Sequence, residues 1–182
     1  DIDPAGQKLH KGNYESYTLT VARGSKKVAA GAGETLGVAN ATSVEASAFK
    51  NISENEIVIT SDTIVWFEGK AVEKPNNKKE AFEMIRSFSG AMHQVFTSVT
   101  FTGIKNQKTI SDTTKVWFNK LTDEEINFYI DTYMPFDKAG AYGIQEWLGL
   151  IGVCKIEGSF FNVMGLPTHK VYQSLLELVK DQ

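Results

Sequence analysis

The fold is decided by residues 56–75, which read EIVITSDTIVWFEGKAVEKP. Within them, two runs rich in β-branched side chains, 56–60 and 63–67, predict two short buried strands. A Glu-Gly pair directly after the second run predicts a tight turn, from which residues 70–74 return as an antiparallel strand. The stretch therefore predicts a buried strand followed by a β-hairpin, with Asp62 at the point where the first strand ends.

The rest of the chain alternates between hairpins and helices. Residues 94–104 and 109–120 are β-prone runs around a Lys-Asn turn, which predicts a long antiparallel hairpin. Capping sequences at Asn77 and Thr122 precede apolar residues at helical spacing, and a third helix is predicted near the C-terminus. With a further strand predicted at 150–156, the pattern indicates an α/β fold, built on a mixed, strongly twisted sheet with long hairpins flanked by helices.

The composition is that of an ordinary globular protein of 182 residues, with 42% hydrophobic and 23% charged residues. We expect a single domain over residues 1–182, although residues 24–48, rich in Gly, Ala, Ser and Thr, give no clear pattern. A net charge of −3 gives no basic surface for nucleic acid, and no apolar run approaches the ~20 residues of a membrane helix. The one cysteine, Cys154, excludes an intramolecular disulfide and favours a cytoplasmic location.

The Ser61-Asp62-Thr63 sequence is the first candidate for chemistry. Ligands of α/β sheets collect at the carboxyl ends of strands, where Asp62 is predicted to lie. A carboxylate there can bind a divalent cation or accept a proton from water. The alternative is that this Asp only caps a turn.

Two further candidates carry lysines. Lys74 is predicted to lie beside Asp62 across the hairpin, either as a surface ion pair or as a phosphate contact. Residues 136–145, FDKAGAYGIQ, are mostly small, so the backbone can approach a ligand closely, and Asp137 and Lys138 could add a metal ligand and a phosphate contact. A purely structural loop with cap glycines is the alternative.

Other catalytic patterns are not present in the sequence. His10, His93 and His169 lie far apart and show no zinc-binding spacing. Cys154 falls in an apolar run and is predicted to be a core residue rather than a nucleophile. No nucleophile elbow or P-loop motif occurs.

Taken together, the motifs resemble the Maf family of nucleoside triphosphate pyrophosphatases. The resemblance extends over about residues 55–178 and leaves residues 1–54 undefined. It rests on five blocks in order: TSDTIV at 60–65, EKP at 73–75, the block from Phe88 to Thr97, FDKAGAYGIQ at 136–145, and IEG to MGLP at 156–167.

The resemblance implies an activity and a fold. It implies a Maf or inosine-triphosphatase-like fold that hydrolyses a nucleoside triphosphate to the monophosphate and pyrophosphate, with Mg²⁺ or Mn²⁺ as cofactor. Asp62 would be the proton acceptor and a metal ligand, and Lys74, Asp137 and Lys138 would bind substrate. Thr63 and Gln145 match the branch of the family that acts on dTTP and UTP. A homodimer is implied in the same way.

One family element has no counterpart in this sequence. The family begins with a strand and an Arg-rich phosphate loop, and we expect that element to precede Asp1. Without it, the alternative function is a non-catalytic nucleotide-binding or cell-division regulatory module of the same fold.

Overall fold

A computed structural model describes residues 18–23, 52 and 56–180. Six strands form one sheet: β1 Thr18–Arg23, β2 Glu56–Phe67, β3 Lys70–Val72, β4 Met92–Thr102, β5 Gln107–Phe118 and β6 Val153–Glu157. The helices are α1 Lys78–Phe88, α2 Asp123–Tyr133, α3 Trp147–Gly152, α4 Phe160–Val163 and α5 Thr168–Lys180, with a 3-10 turn at Ala139–Ala141. The interpretation of residues 24–48 and the expectation of an element before Asp1 lie outside the described residues.

The sheet has the strand order β1-β2-β4-β5-β6, and β3 also pairs with β2. β1 runs parallel to β2, whereas every other pairing is antiparallel. The predicted α/β fold with a mixed sheet, long hairpins and flanking helices is therefore confirmed. In the described part of the chain, no helix is both long and apolar enough to cross a bilayer.

The prediction that a strand ends near Asp62 is wrong, because β2 is one continuous strand of 12 residues. β4 pairs with it without interruption from Val58 to Trp66, so Asp62 lies opposite Ser98 in the middle of the ladder. The polar Ser61-Asp62-Thr63 sequence suggested a break. It is accommodated in the strand because polar side chains of β4 face it and the backbone hydrogen bonds continue.

On the other edge of β2, Asp62 lies in a stretch with which no described strand pairs, and this stretch is called the open edge below. β1 pairs with β2 as far as Ser61, and β3 begins to pair with it at Val65. Neither of these two strands covers residues 62–64. The carboxyl end of the parallel strand β1 therefore stops next to Asp62, which is where ligands of sheets with parallel strands are found.

The predicted turns and caps are largely confirmed. Glu68 and Gly69 both have positive φ values, 48° and 78°, as a tight two-residue hairpin turn requires. Thr122 and Glu125 form a complete capping box at the start of α2. The returning strand β3 ends at Val72, so Lys74 lies in the segment that follows the strand.

The prediction of a strand over residues 150–156 is only half correct. Residues 147–152 form α3, and the strand begins at Val153. α3 forms because Leu148 is fully buried and Gly152 fits against the ring of Phe118. Cys154 is exposed, so its assignment to the core is wrong.

The main core lies beneath the 136–145 loop. Phe88, Tyr129 and Leu148 are completely buried there and come from α1, α2 and α3. A second, smaller core packs α5 against the other end of the sheet. The loop therefore rests on a rigid apolar base on one side and faces the open edge of β2 on the other.

Candidate active site

One cavity of about 270 Å³ lies between the open edge of β2 and the 136–145 loop. All six residues singled out from the sequence line it: Asp62, Thr63, Lys74, Asp137, Lys138 and Gln145. They come from three separate segments of the chain, and the structure brings every one of them together. Their individual chemical roles stay predictions.

A backbone hydrogen bond joins the two segments that carry the lysines. The Gly140 N–H donates to the carbonyl oxygen of Glu73, 3.1 Å away, and Glu73 directly precedes Lys74. Gly140 has a φ of 71°, and a Cβ there would lie 3.1 Å from Phe88 and 3.2 Å from Val65. The positive φ and the two close contacts both favour glycine at this position. The hydrogen bond to Glu73 keeps Lys74 and Lys138 at the same cavity.

Hydrogen bonds behind Thr63 fix the direction of its hydroxyl proton. Thr97 Oγ1 lies 2.8 Å from the carbonyl oxygen of Asn162, which can only accept, so Thr97 donates its one proton there. Thr63 Oγ1 lies 3.0 Å from Thr97 Oγ1 and must therefore be the donor of that bond. Thr63 thus offers only lone pairs to the cavity.

The short helix α4 forms an apolar side of the cavity and is held by a buried asparagine. Asn162 donates from Nδ2 to the carbonyl of Val95, at 3.1 Å, and to Thr114 Oγ1, at 3.0 Å. These bonds fix α4 against β4 and β5. Val163 and Met164, at its end, consequently line the cavity.

Lys138 lies between two carboxylates. Its Nζ is 2.9 Å from Asp137 Oδ1 and 3.3 Å from Glu146 Oε1. Partial burial alone would lower the pKa of Lys138, but the two carboxylates outweigh it, so the pKa is raised and the ammonium is retained at neutral pH. The cavity therefore keeps a fixed positive charge at this position.

Glu146 is held in turn by a buried tyrosine. The hydroxyl of Tyr129, which is completely buried, donates to Glu146 Oε2 and accepts from the Gly143 N–H at 3.0 Å. Burial, together with the hydrogen bond to Glu146, raises the pKa of Tyr129, so the phenol stays protonated. A Cβ on Gly143 would lie 2.8 Å from the carboxyl carbon of Glu146.

His93 supports the floor of the cavity from the core. Its Nε2 lies 2.7 Å from the hydroxyl of Tyr142, a cavity-lining residue, and its ring stacks on Phe88 with the centroids 4.5 Å apart. Among the described residues none hydrogen-bonds to His93 Nδ1. Burial lowers the pKa of His93 from 6.5 to about 4, so the buried ring is neutral at pH 7.

This buried histidine makes the stability of the fold depend on pH. Below pH 6.5 the unfolded chain binds a proton at His93 that the folded chain does not bind until about pH 4. The free energy of unfolding is therefore expected to fall by roughly 3 kcal/mol across that window from this group alone. Urea unfolding at pH 7, 5.5 and 4 measures it. In the His93→Gln variant the free energy of unfolding should fall less over the same pH range, because the buried imidazole is gone. An equal fall in the variant and the unmodified protein would contradict the expectation.

The cavity offers oxygen ligands for a divalent cation. Asp62 and Asp137 both line it, and Mg²⁺ is usually held by one or two carboxylates, with substrate phosphates and water completing its shell. Among the described residues no group of three or more His, Cys, Asp or Glu is placed to hold an ion. The two carboxylates therefore fit a metal brought in with a polyphosphate.

No role was predicted from the sequence for the side chains that support the site. Thr97 and Asn162 fall in blocks that carry the family resemblance, and Tyr129 falls in a predicted helix, but none of the three was predicted to support the cavity. For Glu146 a signal was available, because a charged residue directly follows the Gly-Ile-Gln sequence of the loop.

Comparison with known proteins identifies the family. The Maf-like protein family model matches residues 7–178. A dTTP/UTP pyrophosphatase of Christiangramia forsetii is 55% identical over 129 residues, which cover 71% of this chain and 66% of that protein. The dTTP/UTP pyrophosphatases of Flavobacterium johnsoniae and Bacteroides thetaiotaomicron are 54% and 50% identical, over 75% and 74% of this chain and 71% and 70% of their own lengths. The matched region thus spans about two thirds of these curated relatives. With most of its residues matched by the family model and its motif residues gathered at one cavity, the chain belongs to the Maf family.

Proposed function

We propose that this protein hydrolyses dTTP and UTP to the nucleoside monophosphate and pyrophosphate. The observation that carries the proposal is the gathering of two lysines, two carboxylates, Thr63 and Gln145 around one cavity. Relatives that are 50–55% identical over 71–75% of this chain are named dTTP/UTP pyrophosphatases, which supports the same activity here.

The two lysines suit the polyphosphate part of such a substrate. Lys74 and Lys138 enter the cavity from different segments, so each can contact a different phosphate. An ammonium group binds phosphate as a compact point charge and donates up to three hydrogen bonds. Together they offset part of the charge of the triphosphate and hold it in a defined position.

Asp62 is proposed as the proton acceptor for water. Its Oδ1 accepts the Thr63 N–H at 2.9 Å, which fixes the orientation of the carboxylate. The water gives its proton to Asp62, its oxygen forms a bond to the α-phosphorus, and the bond to the β-phosphate oxygen breaks as pyrophosphate leaves. A positioned base of this kind typically contributes a factor of about 10²–10⁴ to the rate.

A divalent cation, Mg²⁺ or Mn²⁺, is proposed as the cofactor. Asp62, with Asp137 on the opposite loop, would supply carboxylate oxygens to it. When bound, the ion would offset charge on the phosphate oxygens.

Thr63 and Gln145 are proposed to select the base. Thymine and uracil both present an imide N–H between two carbonyl oxygens. Thr63 offers only lone pairs, which can accept that N–H, whereas the amide of Gln145 can donate to a carbonyl. Cytosine has an acceptor nitrogen in place of the imide N–H. The lone pair of that nitrogen would face a lone pair of the Thr63 hydroxyl oxygen, and the two repel each other.

The test is a panel of triphosphates assayed for pyrophosphate release with Mg²⁺. We expect kcat/KM for dTTP and UTP to exceed that for CTP at least about tenfold, because of the unfavourable contact at Thr63. Thr63→Val should reduce this preference, and equal rates for all three substrates would contradict base selection. If dTTP raises the melting temperature but no pyrophosphate appears, the protein is the non-catalytic nucleotide-binding module instead.

Two further expectations are part of the proposal. A cytoplasmic location fits an enzyme whose substrates are nucleotides. The homodimer stays a prediction from the family resemblance, and sedimentation velocity measures it.

A further inference from the structure

We propose that Glu146 is a positioning residue, which acts through Lys138 to set how tightly the polyphosphate is held. The inference rests on the proposed function, because Lys138 is there assigned to the phosphates. It concerns a residue that does not itself line the cavity: Glu146 lies behind Lys138, at the residue directly after Gln145.

The two carboxylates beside Lys138 are not equivalent. The side chain of Asp137 is 76% exposed, whereas that of Glu146 is only 19% exposed. An exposed ion pair contributes little, because water screens it and both side chains remain mobile. Glu146 is shielded from water and therefore has the stronger influence on where the ammonium lies.

Tyr129 gives Glu146 a fixed position. Its ring is completely buried in α2, and its hydroxyl donates to one carboxylate oxygen of Glu146 while the other faces Lys138. The same hydroxyl accepts the Gly143 N–H, so the backbone of the loop is held by the same group. A hydrogen bond from the buried tyrosine and an ion pair to the lysine therefore connect the rigid core to the ammonium.

The consequence for the substrate follows from the donors of Lys138. The ammonium hydrogen-bonds to Asp137 at 2.9 Å and pairs with Glu146 at 3.3 Å, so at least one of its three N–H groups is left for a phosphate in the cavity. Without the Glu146 carboxylate, the ammonium can turn toward Asp137 and solvent. The substrate would then have to order the lysine as it binds, which weakens binding.

The test is a kinetic comparison of Glu146→Gln with the unmodified protein. Gln can still accept the Tyr129 hydroxyl but carries no charge for Lys138. We expect KM for dTTP to rise roughly tenfold, with kcat within about threefold, because the contact with the phosphates is made in both the ground and transition states. Glu124→Gln, an exposed residue on α2, removes the same charge away from the cavity and should leave both constants unchanged.

A double-mutant cycle separates positioning from general loss of structure. In a Lys138→Met background, Glu146→Gln should have no further effect on KM, since the group through which Glu146 acts is no longer there. The inference would be overturned if Glu146→Gln raised KM equally with and without Lys138→Met, or if it raised KM in neither protein. If Glu146→Gln does not fold, Tyr129→Phe is the second variant. It removes the hydroxyl that hydrogen-bonds to the Glu146 carboxylate, and the same rise in KM is expected.

Failure of the proposed function can be recognised separately. If the unmodified protein hydrolyses no triphosphate, the activity is wrong, and the same variants are then compared for dTTP affinity by calorimetry with Mg²⁺. Weaker binding in Glu146→Gln that disappears in the Lys138→Met background supports the positioning role, and equal affinities overturn it.

Discussion

Replacing Asp62 with Asn is expected to lower kcat for dTTP about 10³-fold, the range associated with loss of a positioned general base. Asn has the same shape, and its carbonyl oxygen can still accept the Thr63 N–H, so the local backbone is not disturbed. What it loses is the negative charge and the ability to take a proton from water. Steady-state pyrophosphate release measures the effect, and a melting curve checks that the fold is intact.

The matched control for this variant is Asp131→Asn. Asp131 lies on α2, where its side chain is 59% exposed and pairs with Lys78. Its replacement by Asn removes the same negative charge, but away from the cavity. Its kcat should equal that of the unmodified protein. If Asp62→Asn keeps more than about a tenth of the original kcat, Asp62 is not the base and the proposed reaction step has to be abandoned.

The same variant separates the two roles proposed for Asp62. If the carboxylate served only to bind the metal, raising the Mg²⁺ concentration would restore kcat, because mass action compensates for weaker binding. If it accepts the proton, saturating metal leaves kcat low.

The parts of the fold that were predictable depend on neighbours along the chain. The hairpin turn at Glu68 and Gly69 and the capping box at Thr122 are set by a few consecutive residues, and both were predicted correctly. The 136–145 loop was recognisable because its small residues stand out from the apolar pattern on either side. Local chemistry of this kind is contained in the sequence itself.

The parts that were missed depend on partners far along the chain. The continuity of β2 through Asp62 relies on β4, whose Ser98 and Thr97 face the polar residues, some 35 positions later. The helix at residues 147–152 forms because Leu148 and Gly152 fit a core made by other elements. Glu146 is functional only if Tyr129 reaches it from α2. Such long-range contacts are not written in a local pattern, so the residues that line the cavity were predicted while those that support them were not.

The second large effect is expected at Gly149, a residue outside the cavity. A Cβ added there would lie 2.0 Å from the carbonyl oxygen of Ile144 and 2.6 Å from its Cα, where real side chains do not come closer than about 3.0 Å. Backbone atoms cannot rotate away, so α3 and the loop have to separate by about 1 Å or more. Ile144 directly precedes Gln145, and the displacement is therefore transmitted to the cavity.

Gly149→Ala is consequently expected to lower both stability and activity. Overpacking of this kind costs about 3 kcal/mol or more, which corresponds to a drop in melting temperature of roughly 6–12 °C for a protein of this size. A 1 Å displacement of a substrate-binding group can reduce kcat/KM about 10²-fold. The effect should be largest for substrates that depend on Gln145, so the preference for dTTP over CTP should narrow as well.

Gly103→Ala is the matched control, because its added Cβ would meet only one atom, at 3.8 Å, in the loop between β4 and β5. It makes the same change in composition and should leave melting temperature and kcat/KM unaltered. A Gly149→Ala protein that melts and turns over dTTP like the unmodified one would mean that α3 does not lie against the backbone of Ile144. Gln145 would then not be positioned from the core by the close approach of α3 at Gly149.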